Sequence, residues 1–123
     1  MKRETIADHF ETNKQKPSKF LEAWRDAVIL IGPALFKLDC SIETITNREN
    51  MRPDFDAFLS AINVLSSGQQ VFAIAVYQFF SDSDALKLCE QCDRQPVSVA
   101  DIAMLDDKHR HIIIRLIESY TGW

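Results

Sequence analysis

With 123 residues, 46% of them apolar and 26% charged, the chain has the size and composition of one ordinary globular domain, far from those of a disordered tail. Its net charge of −4 is uneven: residues 1–25 hold six basic and four acidic side chains, residues 82–107 seven acidic and two basic, which argues against a broad nucleic-acid surface and leaves room for a local basic one. The longest apolar run, Ala27 to Phe36, has ten residues and contains Gly32 and Pro33, against about 20 for a membrane span.

Met1-Lys2-Arg3-Glu4 leads into polar residues with no apolar stretch of the secretory kind. The three cysteines, an odd number without an export signal, fit reduced thiols in a cytosol, and the compact length fits a bacterial or phage cytoplasmic protein. Only three Gly and four Pro interrupt a sequence rich in helix formers, which favours helices over the turn-dense architecture of sandwiches and barrels. The expectation is an all-α, single-domain bundle of about five to seven helices around a central apolar helix at residues 69–80, preceded by a polar arm.

Residues 1–16 form that arm, since only Ile6, Ala7 and Phe10 recur at helical spacing. The helical domain, residues 17–123, opens at Pro17-Ser18, where Phe20, Leu21, Trp24, Ala27, Val28 and Ile31 define one apolar face. Gly32-Pro33 interrupts the helix because proline has no amide proton to give it, and Ala34, Leu35 and Leu38 are expected to continue as a short helix beyond a kink. From Asp39 to Arg52 a polar connector carries candidate caps at Ser41 and at Thr46, the latter in a box with Glu49.

Pro53 fits the first position of the next helix, whose stripe is Phe55, Phe58, Leu59, Ile62 and Leu65, with Gly68 as its terminator. Val71 to Phe80 is apolar on nearly every face, and such a helix has to be surrounded by others. Ser81 to Asp84 offers caps for a helix bearing Cys89 and Cys92. Ser98 with Asp101 opens a short helix, and Asp106 caps the last one, with Gly122 as its C′ residue and Trp123 folded onto Ile117.

Chemistry-bearing patterns are few. Cys89-x-x-Cys92 with His109 could hold zinc, but His109 and His111 point about 200° apart on a helix, so one of them at most could join. The same two cysteines fall late in a helix beside Glu90 and Asp93, surroundings that raise a thiol pKa and suit a packing role better than redox chemistry. Residues 98–120 have the outline of a helix-turn-helix, with Lys108, Arg110 and His111 as its nucleic-acid contacts, against which stand Asp106, Asp107 and the apolar Ile112 to Ile114. No nucleophile elbow, phosphate loop or metalloprotease motif is present, so the chain reads as non-enzymatic, without catalytic residues or a cofactor.

What remains is a surplus of large apolar side chains, Tyr77, Phe80 or its neighbour Phe79, Ile114 and Trp123, that short helices cannot all bury. Such clusters mark protein contacts. The sequence therefore points first to protein–protein interaction, through a homodimer or a partner protein, with DNA binding and a zinc- or thiol-dependent role at Cys89 and Cys92 as the alternatives.

Overall fold

The computed structural model describes residues 18–123; the arm expected at residues 1–16 lies outside them. Helix α1 (Lys19–Ile31) starts where the Ser18 hydroxyl accepts the amide of Leu21 at 3.0 Å, and it buries Phe20, Leu21, Ala23, Trp24, Ala27 and Val28 along the expected face. It ends at Gly32, whose amide reaches the Val28 carbonyl at 2.8 Å while its φ of 128° turns the chain away. Side chains rarely adopt that backbone conformation, which is why a glycine stands there.

Beyond Gly32 the structure departs from the expected helix. After a single 3-10 turn (Pro33–Leu35) the chain extends as β1 (Phe36–Leu38), antiparallel to β2 (Met51–Pro53) with Phe36 opposite Pro53 and Leu38 opposite Met51. The alternation of buried Phe36, exposed Lys37 and half-buried Leu38 is a strand period, too short to stand out in the sequence. Pro53 consequently belongs to the strand; Asp54 is the cap, accepting the Ala57 amide, and helix α2 begins one residue later (Phe55–Ala61).

Between the strands lie two more 3-10 turns, Ile42–Thr44 and Arg48–Asn50. The expected box of Thr46 and Glu49 is absent; the Asn47 side chain caps instead, accepting the Glu49 amide at 2.9 Å. Arg25 of α1 ties this loop down by donating to the carbonyls of Ile42 and Ile45, and the Trp24 indole donates to Met51 at 2.8 Å. The small sheet is thus fastened to α1 through side-chain donors and main-chain acceptors.

Helix α3 (Ser67–Gln78) is opened by a reciprocal capping box of Ser66 and Gln69, so Gly68 sits in its first turn and terminates nothing. Seven consecutive residues, Val71 to Tyr77, are buried, as a helix apolar all round requires. Each large side chain so buried contributes on the order of 2 kcal/mol. Helix α4 (Asp82–Gln91) is capped by Ser81, α5 (Val99–Ala103) by a box of Ser98 and Asp101, and α6 (Asp107–Ser119) by Asp106, which accepts the His109 amide at 3.0 Å.

The fold is all-helical apart from the two-stranded sheet. Its most extensive pairings are α1 with α6, joined at the surface by Arg115 and Asp26 at 2.8 Å, and α3 with α4; α3 also touches α1, α5 and α6. Trp123 does not fold onto Ile117. It packs against Trp24 and Phe80, with ring centres 4.7 and 5.0 Å away, and Ile117 stays 59% exposed. No helix among the described residues is long and apolar enough to cross a membrane.

Candidate functional site

Where α3, α5 and α6 meet, a groove of about 350 Å³ is lined by Ala75, Phe79, Ile102, Ile113, Ile117 and Tyr120, with Gln78 and Asp82 beside them. Its geometry follows from helical spacing. Ile113 and Ile117 of α6 and its C-cap Tyr120 recur at four and three residues, a row that runs from buried Ile113 out to half-exposed Ile117 and Tyr120, beside the buried Ile112 and Leu116. The Tyr120 hydroxyl donates to the Phe79 carbonyl at 3.2 Å, and the two rings meet at 5.3 Å, which closes one side of the groove.

The apolar surface continues outside it. Ile117 and Tyr120 are 59% and 41% exposed, Ile114 is 39% exposed, and Val99, three residues before Ile102 on α5, is almost wholly exposed. One carboxylate, Asp82, stands in the lining and has no ion-pair partner among the described residues; Glu118, next to Ile117 in sequence, lines a separate hollow with Lys19, Glu22 and Arg115. Arg110 on the same helix is already committed, to the carboxylate of Asp107 and to the carbonyls of Ala103 and Leu105.

Of the four residues expected to face a partner, only Ile114 lies on this surface. Tyr77 is 1% exposed, enclosed by Phe55, Phe58 and Phe80, because α3 is sheltered by the first turn of α2 as well as by its helical neighbours. It is a core residue, not a contact residue. Phe80 and Trp123 are half-buried against each other in an aromatic cluster with Phe20 and Trp24. Burial also lifts the Tyr77 phenol well above its ordinary pKa, with the charges of Asp84 and Asp54 pushing the same way.

The three candidate nucleic-acid contacts sit in the first two turns of α6. Lys108 and His111 are exposed, but Arg110 holds the joint between α5 and α6, and α5 is a five-residue helix. Cys89 is buried near the end of α4, and Cys92 is its C-cap, with the thiol donating to the Leu88 carbonyl at 3.2 Å. Burial raises the Cys89 pKa. His109 stands elsewhere, against Phe72 and Asp106, and no group of three or more His, Cys, Asp or Glu side chains among the described residues is placed to hold a metal ion.

Phe79, the alternative to Phe80 in the apolar surplus, lines the groove, whereas Ile102, Ile113, Ile117 and Tyr120 are large lining residues that the surplus does not include. A signal existed: Ile112, Ile113, Ile114, Leu116, Ile117 and Tyr120 span a wider arc of α6 than one buried stripe needs. Compared with family models, curated proteins and solved structures, the chain matches none.

Proposed function

We propose that this chain is a non-enzymatic cytosolic helical protein that works by binding another protein, docking an amphipathic helix with a basic flank on the groove between α3, α5 and α6. The observation that carries the reading is the uncovered apolar strip of Ile114, Ile117 and Tyr120 running into that groove. Helix-in-groove recognition uses apolar anchors at such spacing. Asp82 favours a partner with Lys or Arg beside the apolar face, and a second copy docked on the same face would bring the two Asp82 carboxylates toward each other.

The test titrates the full chain with two designed helical peptides that share one leucine face and differ only in flanking Lys or Glu. The Lys peptide is expected to bind severalfold more tightly, with the difference shrinking as salt rises. Ile117→Glu should abolish binding, and Asp82→Lys should reverse the preference. Equal binding of both peptides would overturn the charge argument. A dimer in light scattering that Ile117→Glu dissociates would replace the partner by a second copy, and a monomer that binds neither peptide would remove the reading.

A further inference from the structure

At the N-terminal turns of α3 and α6, two adjoining hollows of about 240 and 260 Å³ share Gln69 and His109. The first is walled by Leu30 and Ile31 of α1, by Leu65, and by Phe72 and Ala73 of α3. The second opens toward Ser66, Met104, Leu105 and Asp106. Cavities of about 150 Å³ lined by Leu, Ile and Phe take up a benzene-sized molecule, so the first hollow has room for one ring with a polar substituent.

The two shared side chains each have one polar atom already fixed. Asp106 Oδ1 lies 2.6 Å from His109 Nδ1, which holds the proton on that nitrogen and leaves Nε2 with a lone pair in the neutral ring. Gln69 Oε1 accepts the Ser66 amide at 2.9 Å as part of the α3 capping box, which leaves the side-chain NH2 as a donor. Neither His109 Nε2 nor Gln69 Nε2 has a hydrogen-bond partner among the described residues. The His109 ring is also held in place, at right angles to Phe72 with centres 4.7 Å apart.

An apolar wall with one fixed acceptor and one fixed donor is the usual design of a small-molecule site. A charged ligand is disfavoured. The walls of the first hollow offer no counter-charge, burying an unpaired ion is costly, and the Asp106 carboxylate beside His109 would repel an anion. We infer that the hollow formed by Leu30, Ile31, Leu65, Phe72, Gln69 and His109 binds a small uncharged ring compound bearing a hydroxyl group, which donates to His109 Nε2 and accepts from the Gln69 amide.

Phenol is the probe, with toluene and benzoate as its apolar and anionic counterparts, titrated into the full chain while backbone amide shifts are followed. Phenol should bind in the millimolar range, more tightly than either counterpart, and move the amides of Phe72 and Ala73. His109→Phe keeps a ring against Phe72 but removes the acceptor, and it should weaken phenol about tenfold, as loss of one hydrogen bond does, while leaving toluene unchanged. Should that variant fail to fold, Gln69→Glu keeps the capping acceptor, removes the donor and serves the same purpose. Toluene binding as tightly as phenol, a His109→Phe effect equal for both, or no amide moving at all would overturn the inference.

Discussion

Arg48 lies over the ring of Trp123, its guanidinium carbon 5.1 Å from the ring centre, and donates a hydrogen bond to the neighbouring carbonyl of Gly122, 74 residues away in sequence. The same guanidinium faces Phe20 at 4.9 Å, so one side chain from the loop between the strands pins the end of the chain onto α1. Trp123→Ala removes ring contacts with Trp24, Phe20 and Phe80 and is expected to cost about 3 kcal/mol in urea unfolding. Arg48→Ala removes the cation–π contacts to Phe20 and Trp123 and a charged hydrogen bond, at about 1–2 kcal/mol. The double variant should lose less than the two combined, because the residues share their contacts.

Tyr77 carries a hydroxyl that is buried and makes no hydrogen bond of ordinary geometry among the described residues, although the Asp84 carboxylate lies near enough to help raise its pKa. Leaving such a group dry costs about 1–3 kcal/mol, so Tyr77→Phe should be neutral or stabilising, the reverse of the usual outcome of deleting a buried polar atom. The pH dependence gives a second readout. The folded-state pKa is raised, so the stability from this group is fully present below the unfolded value of about 10 and is lost as pH rises through the folded value. The wild type should therefore weaken in alkali above about pH 10 more steeply than Tyr77→Phe, measured by chemical unfolding at stepped pH.

Periodicity made most of the fold legible. The caps Ser18, Ser81, Ser98 and Asp106 and the face of α1 follow from residue type and spacing, whereas on α6 only Ile112, Ile113 and Leu116 are buried and Ile117 and Tyr120, at the same spacing, stay largely exposed. The strands β1 and β2 did not, because three residues are too few to show a period of two, and their pairing joins positions far apart in sequence. Gly68 misled for a local reason: Ser66 and Gln69 satisfy each other's amides, a reciprocal arrangement that outweighs a glycine's tendency to end the preceding helix. The candidate site was legible only as a surplus of apolar residues. Which of them stay outside depends on how α3 sits among its neighbours, and that buries Tyr77 while leaving Ile117 uncovered.

The three thiols occupy three environments: Cys40 is exposed, Cys92 half-buried and Cys89 buried with its pKa raised by desolvation. Thiolate, not thiol, is the reactive form. A thiol-specific chromogenic reagent at neutral pH is therefore expected to label Cys40 promptly and Cys89 last, with Cys89 following the unfolding rate. Cys40→Ser should remove the fast phase. Rapid labelling of Cys89 in the folded chain would restore a chemical role for the pair it forms with Cys92.

Asp106 couples the start of α6 to pH. Its carboxylate accepts the backbone amide of His109 and contacts that residue's ring, and these two hydrogen bonds, the backbone one foremost, hold its pKa below the ordinary aspartate value. A depressed folded-state pKa means that the stabilisation is present above the unfolded value of about 3.9 and disappears as pH falls through the folded one. Asn is as good a cap as Asp but does not titrate, so Asp106→Asn should leave unfolding near neutral pH almost unchanged and make the loss of stability in acid shallower. Asp106→Ala, by contrast, should be destabilised across the whole pH range, because the orphan amide of His109 then has no acceptor at any pH. Asp101, lowered by its own box with Ser98, contributes a second part of the acid limb, so Asp106→Asn alone should flatten that limb without removing it.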